Sequence, residues 1–286
     1  MTNEPQIAAA KDADVRALAA RRWPDESSRQ LYRQLAQSSP RGAYVARDEG
    51  TPIAIGFAHE LENEWFLSEL FVEPSFRRQG IGSRILREVA RDAGDVSRSG
   101  LLETGSTEGM SFFARLGVAL QVPVLRVAGA IPKEEELMPM AAGDYRFATL
   151  PIEAQAHAGI LAALDRDARG TGRPNDHASF AQLASGTLLL LNDECVGYVY
   201  VWPDGRIGPM VAASGAYLTQ FFGFALVALR RTYGASWCTA LVPGSNVRVM
   251  RAAVRIGLVL DQVRIFATDL PQIDLSRYVG FHALAF

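Results

Sequence analysis

Short runs of mostly apolar residues bounded by turn residues, the pattern of β-strands, dominate the first part of the chain. Residues 43–47 and 52–58 are two such stretches, and the residues between them tolerate tight turns. A third stretch covers residues 65–72 and stops at Glu73-Pro74. Proline cannot donate a hydrogen bond to a β-ladder, so it marks the end of this strand. The pattern predicts three consecutive strands.

Helical periodicity follows the third strand. Apolar residues in 83–93 fall on one side of a helix, and the arginines fall on the other. Residues 6–37 are typical of a short strand followed by helical sequence. Three further elements are predicted before residue 130: a strand at 100–103, a helix at 109–116 that ends at Gly117, and a strand at 122–128.

The same order of elements then begins again, which predicts two copies of one architecture. The predicted elements of the second copy are a helix at 152–167, strands at 186–191, 196–202 and 207–211, an apolar helix at 217–230, a strand at 237–242 and a helix at 246–256. Between the copies, residues 131–143 hold two prolines and no apolar period. We therefore predict domains at 1–130 and 144–286, joined by a linker at 131–143.

Composition narrows the classes of function. The 286 residues carry a net charge of −2 without a basic tract, so nucleic acid is not expected as a partner. Cys195 and Cys238 lie far apart, as in a reduced cytoplasmic protein. No signal peptide is visible, and the most apolar stretch, around residues 187–191, is too short to span a membrane. The four histidines have no ligand spacing, so no metal site is expected.

The most informative segment is a glycine loop between the third strand and the helix after it. Gly80 and Gly82 lack Cβ atoms and allow a ligand to approach the main chain. The N–H groups at the start of the helix favour an anion such as a pyrophosphate, and Arg77 and Arg78 add cationic donors. Two other phosphate loops do not fit: GxGxxG needs a glycine where Ile85 stands, and GxxxxGK[ST] needs a lysine in place of Gly82.

This loop resembles the Arg-x-x-Gly-x-Gly signature of the GNAT family of N-acetyltransferases. The resemblance implies an α/β (α+β) fold of two tandem GNAT-like domains, each a mixed, mostly antiparallel sheet flanked by helices. It also implies acetyl-CoA as the acyl donor and an amine of a small molecule or peptide as the acceptor. Two strand residues, Phe71 and Val72, would contact the pantetheine. The loop residues that would hold the pyrophosphate are Arg77, Arg78, Gln79, Gly80, Ile81, Gly82 and Ser83.

A second GNAT element, Asn-x-x-Ala-x-x-Phe-Tyr-x-x-x-Gly, corresponds to residues 106–117. Its tyrosine often protonates the leaving thiolate and contacts the cofactor, but this chain has Phe113 at that position. Phenylalanine cannot donate a proton. Transfer can still proceed, because a thiol pKa near ~8.5 makes the thiolate a fair leaving group. Ser111 or Thr107 are weaker candidates for assistance.

An acceptor amine must lose a proton before or during attack, so the site needs a base. Glu69 lies on the strand that leads into the loop, where GNAT enzymes often keep an acidic residue for this task. Its apolar neighbours would raise the pKa of the carboxyl towards a useful range, although an ordinary half-exposed strand carboxylate is the alternative. Glu103 is the second candidate. The oxyanion donor would be a backbone N–H near Val72.

The second copy resembles a degenerate GNAT domain, because its corresponding turn at 213–217 has one glycine and no arginine. Asn246 keeps the asparagine of the late element, and Ala253 stands where the tyrosine would be. A polar cluster in this half either lines a substrate pocket or forms a solvated helix end, which we expect because charge runs are usually exposed. Its members are Asp165, Arg166, Asp167, Arg169 and Arg173.

Two other functions stay open at the level of sequence. One is a protein N-terminal or lysine acetyltransferase. The other is a non-catalytic acyl-CoA sensor, for which Phe113 is the best support. A homodimer would also be compatible with the sequence.

Overall fold

A computed structural model describes residues 4–39, 42–91, 94, 96–271 and 273–286. The chain divides into two compact units, residues 1–100 and 101–286. Ala93, at the end of the predicted helix 83–93, lies outside the described residues.

The first unit contains one sheet with helices. Its strands are β1 (Gln6–Ala9), β2 (Tyr44–Asp48), β3 (Thr51–Glu60), β4 (Glu64–Val72) and the first part of β5 (Ser97–Glu103). Its helices are α1 (Asp12–Arg22), α2 (Glu26–Ser38) and α3 (Ile81–Ala90), and a 3₁₀ turn covers Pro74–Phe76. The strands follow the order β1-β2-β3-β4-β5, antiparallel throughout except for the parallel pair β4 and β5. The three strands predicted at 43–72 are confirmed.

The two faces of this sheet carry different helices. Helix α3 packs its apolar stripe, Ile81, Ile85 and Val89, on the face formed by the small residues of β3. A Cβ atom at Gly56 would meet Cγ2 of Ile85 at 2.5 Å, so glycine permits this close approach. On the opposite face, the ring of Tyr32 from α2 meets Phe57 edge-on at 5.0 Å. Because successive strand residues point to opposite faces, the neighbours Gly56 and Phe57 face α3 and α2, respectively.

The second unit contains the remaining elements. Its helices are α4 (Thr107–Arg115), α5 (Glu134–Ala142), α6 (Ala158–Arg169), α7 (Pro174–Leu183), α8 (Leu218–Tyr233) and α9 (Val247–Arg255). Its strands are β6 (Ala119–Ala130), β7 (Ala148–Pro151), β8 (Ser185–Leu191), β9 (Glu194–Val201), β10 (Ile207–Ala212), β11 (Trp237–Pro243), β12 (Val259–Thr268) and β13 (Tyr278–Val279). One antiparallel group follows the order β12-β6-β11, and the other follows β13-β10-β9-β8-β7.

The core of the second unit forms around α8. Phe221, Phe222 and Leu226 are fully buried against strands β9 to β11. Apolar residues on nearly all sides of this helix predict such burial.

The repeated order of elements is confirmed. Three antiparallel strands, a helix, a strand, a helix and a strand occur first as β2 to β6 with α3 and α4, and again as β8 to β12 with α8 and α9. The boundary between the two compact units, however, falls within the sequence of β5 and not in the segment 131–143. Strand β6 pairs on both edges with strands of the second copy. The division of the sequence into repeats at 131–143 stays a prediction.

The predicted linker is itself helical. Residues 134–142 form α5, and Leu137 is fully buried in the core with α8. At the start of α5, Oε1 of Glu136 accepts a hydrogen bond from the N–H of Lys133 at 3.2 Å, and the N–H of Glu136 donates to the carbonyl of Lys133 at 3.0 Å. Both N–H groups therefore have an acceptor. The helix itself has only one buried apolar residue, Leu137, so apolar periodicity could not reveal it.

Candidate functional site

The glycine loop connects β4 to α3 through the 3₁₀ turn. Arg78 has φ +63° and Gly80 has φ +76°, so the chain takes two left-handed residues immediately before the helix. Gly80 is the N-cap of α3, and a Cβ atom there would meet nothing within 4 Å. Gly82 lies in the first turn, where a Cβ would rest against Val72 at 3.5 Å. The loop is therefore open on its outer side and packed against β4 on its inner side.

This loop presents unused donors to solvent. Within the described part of the chain, the backbone N–H groups of residues 79–83 donate to no acceptor. The side chains of Arg77 and Arg78 are exposed beside them, and Nε of Arg77 donates to the carbonyl of Val72 at 3.0 Å. Unpaired N–H groups at a helix N-terminus and adjacent guanidinium groups are the arrangement that binds phosphates. Ile81 is buried and Ser83 is exposed, so Ile81 offers only its backbone.

The parallel pairing of β4 with β5 ends shortly before the loop. Its last pair is Leu67 with Gly100, whereas β4 continues to Val72. A bulge at Ser68 shifts the register of β4 against β3 at the same place. Bulges increase twist and redirect side chains, and they are common beside active sites. The predicted pantetheine residues, Phe71 and Val72, are half-buried at the end of β4.

Glu69 follows the bulge directly. It pairs across the ladder with Phe57, so its side chain lies on the face of the sheet opposite α3. The residue is only 8% exposed. Nε of Arg22, at the end of α1, lies 3.5 Å from Oε2 of Glu69. The carboxylate is therefore buried but accompanied by a cation.

Tyr32 on α2 completes this group, and the sequence analysis did not single it out. Its side chain is fully buried, and its hydroxyl has no hydrogen-bond partner among the described residues. Burial, and then the negative charge of Glu69, raise the pKa of Tyr32 well above its usual value, although Arg22 partly offsets them. The phenol therefore stays protonated and remains a hydrogen-bond donor.

A second buried polar pair lies beside the bulge. Nδ1 of His59 is 2.7 Å from Oγ of Ser68, and both residues are buried. This pair fixes the side chain of the bulged residue and thereby supports the position of Glu69 next to it.

Residues 13–117 match the sequence model of the acetyltransferase (GNAT) family. The match lies in the first part of the chain and includes the glycine loop. No curated protein matches the chain in sequence.

Solved structures share the GNAT fold over nearly the whole chain. A candidate acetyltransferase from Pyrococcus horikoshii superposes with a TM-score of 0.73 at 16% identity, covering 98% of this chain and 95% of its own. A GCN5-related N-acetyltransferase from Sphaerobacter thermophilus gives 0.62 at 17% identity, with coverages of 95% and 98%. A tandem GNAT protein from the clavulanic acid biosynthesis pathway gives 0.62 at 16% identity, with coverages of 93% and 98%. The fold is therefore that of two tandem GNAT-like domains.

The late GNAT element of the first copy forms α4, which belongs to the second compact unit. Ser106 caps this helix by accepting a hydrogen bond from the N–H of Gly109 at 3.2 Å, a role that asparagine can also fill. Phe113 is fully buried, so it presents no surface to a ligand in this structure. Ser111 donates its hydroxyl to the carbonyl of Thr107 at 2.7 Å. Glu103 is exposed.

The second copy keeps the side-chain cap of its late helix, but it lacks the unused N–H groups found in the glycine loop. Asn246 caps α9 by accepting from the N–H of Val249 at 3.2 Å, and its amide donates to the carbonyl of Tyr278. In the turn before α8, Oγ of Ser214 accepts from the N–H of Ala216, and the carbonyl of Ser214 accepts from the N–H of Tyr217. These N–H groups are thus used within the turn.

Our expectation for the polar cluster of the second copy is wrong for three of its five residues. Arg166 and Asp167 are exposed, but Asp165, Arg169 and Arg173 are buried. These three side chains can be buried because buried partners compensate their charges, whereas charged side chains without partners would remain exposed to solvent.

Asp165 is the centre of this buried network. Nε2 of His177 lies 2.8 Å from Oδ2 of Asp165, and the hydroxyl of Tyr198 donates to Oδ1 at 2.5 Å. Nε of Arg173 lies 3.7 Å from Oδ1, and its Nη2 donates to the hydroxyl of Tyr278 at 3.0 Å. Burial favours a neutral Asp165, but Arg173, His177 and Tyr198 outweigh it and hold the pKa of the carboxyl below its usual value.

The described ranges contain neither a candidate metal site nor a candidate membrane-spanning helix. No three or more His, Cys, Asp or Glu side chains gather there as a metal site requires. Across the same residues, no helix has both the length and the apolar character that crossing a bilayer requires.

Proposed function

We propose that the first GNAT domain transfers an acetyl group from acetyl-CoA to a primary amine of a small molecule or peptide. The observation that carries this proposal is the loop at residues 77–83. Unused N–H groups and two exposed arginines there suit a pyrophosphate. The loop continues from the end of β4, which extends beyond its last pair with β5, so we expect its backbone to pair with an extended pantetheine.

The reaction needs a base and a position for the amine. The amine nitrogen attacks the thioester carbonyl carbon, the C–S bond breaks, and the sulfur leaves as a thiolate. Glu69 accepts the proton that the amine loses. The thiolate can leave without an acid because its pKa lies only one or two units above neutral pH. Phe113 therefore does not prevent turnover.

A non-catalytic acyl-CoA sensor is the second candidate, because Phe113 offers no proton. A sensor would bind acetyl-CoA by the same loop but would release no thiol with any amine. Turnover therefore separates the two functions.

The first experiment is a thermal melt with and without acetyl-CoA. At 100 times its dissociation constant, the ligand should add about 2.7 kcal/mol to the stability of the domain that binds it. The double variant Arg77→Gln/Arg78→Gln removes both loop charges and should lose most of this shift. Arg87→Gln is the matched control, since Arg87 is exposed on α3 beyond its first turn. Equal shifts in the three proteins would contradict the proposed loop site.

The second experiment measures thiol release from acetyl-CoA across a panel of amines. Glu69→Gln should lower kcat by 10²-fold or more, the usual contribution of a positioned base, and leave the acetyl-CoA melt shift unchanged. An unchanged kcat across pH would remove Glu69 as the base. Binding without any thiol release would favour the sensor.

A further inference from the structure

A short segment of the chain lies between β10 and β11, two strands that belong to different ladders. A single parallel bridge, Arg206 with Thr239, joins them next to the start of β10. Beyond this bridge β10 pairs with β13, whereas β11 pairs with β6. Within the described part of the second copy, the two strands therefore leave a groove between them, and residues 278–280 lie in it.

This groove corresponds to the place in the first copy where we expect pantetheine. By the repeated order of elements, β10 and β11 are the counterparts of β4 and β5. The register of β10 against β9 shifts between Ile207 and Met210, as that of β4 against β3 shifts at Ser68. In the first copy, too, the pairing of the two strands stops early, at Leu67 with Gly100. The second copy therefore repeats the groove, but with a peptide segment inside it.

Hydrogen bonds hold this segment from both sides of the groove. On one side, β13 pairs antiparallel with β10. On the other side, Gly280 and Leu241 of β11 exchange two bonds, and each N–H donates to the other residue's carbonyl at 2.8 Å. The amide of Asn246 donates to the carbonyl of Tyr278 at 3.0 Å. An extended peptide that adds to a sheet is held by main-chain hydrogen bonds of this kind.

The side chains of the segment enter different buried environments. Val279 joins the apolar core around α8, whereas the hydroxyl of Tyr278 accepts a hydrogen bond from Nη2 of Arg173 at 3.0 Å. Both residues of β13 are fully buried. Further along the segment, the ring of Phe281 stacks on Trp202 with 4.5 Å between the ring centroids. Alternate side chains in separate pockets give a strand-like ligand its specificity.

The segment also fits closely against the walls of the groove. A Cβ atom at Gly208, in the bulge of β10, would meet the carbonyl oxygens of Val279 and Gly280 at 2.9 Å. A Cβ atom at Gly280 would meet Cδ2 of Phe286 at 2.4 Å. The main-chain oxygen of Phe286 accepts a hydrogen bond from Nη2 of the buried Arg169 at 2.9 Å. An extended pantetheine could therefore enter this groove only by displacing the segment.

We propose that residues 278–286 are a resident peptide ligand of the second copy, held in the counterpart of the groove where we expect pantetheine in the first copy. The groove takes an extended peptide through main-chain hydrogen bonds, and this occupant closes it to acetyl-CoA. The placement of the peptide stands independently of the proposed function, on which only the comparison with pantetheine rests.

Hydrogen exchange of the full chain, followed by mass spectrometry, tests this placement. Amide N–H groups that are bonded in a ladder exchange only when the ladder opens. We expect residues 278–286 to exchange about 100-fold or more slowly in the full chain than in a synthetic peptide of residues 276–286. Exchange at the rate of the synthetic peptide would overturn the proposal.

Asn246→Asp tests how the segment is held. The variant keeps the oxygen that accepts from the N–H of Val249, so α9 retains its cap, but a carboxylate oxygen replaces the donor to Tyr278. Since a buried carbonyl then lacks this donor and faces a negative charge, exchange in residues 278–286 should become about tenfold faster or more. Ser106→Asp is the matched control, because Ser106 caps α4 in the same way, and it should leave this exchange unchanged.

Unchanged exchange in Asn246→Asp would overturn the proposed attachment of the segment to the groove. If this variant destabilises α9 as well, the exchange of the native chain still decides the placement, because that measurement needs no substitution.

Adding excess acetyl-CoA separates this inference from the proposed function. We expect the cofactor to slow exchange at residues 77–83 and to leave exchange at residues 278–286 unchanged. Faster exchange at residues 278–286 would show that acetyl-CoA displaces the segment, and it would overturn the closed groove. No change at residues 77–83 would contradict the proposed loop site, whereas slow exchange at residues 278–286 would still support the resident ligand.

Discussion

Replacing Asp165 by asparagine is the sharpest test of the second unit. The side chain is 0% exposed, and it holds the buried Arg173 in a network with His177 and Tyr198. Asparagine keeps the shape but removes the charge, so Arg173 would remain buried without its counter-ion. Breaking a buried pair from one side costs about 3–5 kcal/mol. For a unit of this size the melting temperature should fall by about 6–20 °C.

The assay is differential scanning calorimetry of the full chain. Asp167→Asn is the matched control, because Asp167 lies two residues away on the same helix with 62% of its side chain exposed. Its ion pair with Arg277 should contribute less than about 1 kcal/mol. A double variant, Asp165→Asn with Arg173→Met, should recover part of the loss because it also removes the uncompensated cation.

Two outcomes would refute the reasoning. If Asp165→Asn melts within a degree or two of Asp167→Asn, the buried network does not stabilise the unit. If the double variant is as unstable as the sum of its single variants, the cost does not come from the unpaired cation.

Four further predictions follow from the described residues. The pKa of Asp165 in the folded protein lies below its unfolded value of ~3.9, so its contribution to the free energy of unfolding is complete above that pH and is lost as pH falls through the folded pKa. In urea titrations below pH 4, the free energy of unfolding should therefore change less steeply with pH in Asp165→Asn than in the native protein. Gly80→Ala should destabilise the chain by about 1 kcal/mol or more in urea because φ is +76°, whereas Gly159→Ala, in an open helical position without positive φ, should be neutral or stabilising. Burial raises the pKa of Cys238 to about 12, and it raises that of the half-buried Cys195 less, so a thiol reagent should label Cys195 first; faster labelling of Cys238 would contradict the burial. Calorimetric titration should give one acetyl-CoA per chain, and two would show that the second copy also binds it.

Local sequence was sufficient to locate the loop and insufficient to bring Glu69 together with its neighbours. Gly80 and the two arginines before it are close in the chain, so their pattern carries the geometry directly. Tyr32 and Arg22 are separated from Glu69 by two strands. The sequence analysis singled out neither residue, because a contact between distant elements leaves no periodic signal.

The polar cluster of the second copy shows why the expectation that a run of charged residues is exposed was wrong. Asp165 and Arg169 are four residues apart and share the buried side of the helix with Leu161 and Ala168, whereas Asp167 lies on the other side. The helical period of these residues was present in the sequence, and it could have distinguished the buried charged residues from the exposed ones. The partners that make burial tolerable could not be found this way, because Tyr198 lies on a strand far along the chain.

The two copies differ in how they use the same junction between a strand and a helix. In the first copy, the N–H groups of residues 79–83 donate to no acceptor in the described chain, and cations stand outside the loop. In the second copy, Ser214 accepts from two N–H groups of the turn, so an anion would have to displace internal hydrogen bonds. Asp165 and Arg173 of this copy face inward instead, and they join α6 to the start of α7. The first copy therefore keeps unused donors at the loop where we propose a pyrophosphate, whereas the turn of the second copy uses its donors internally.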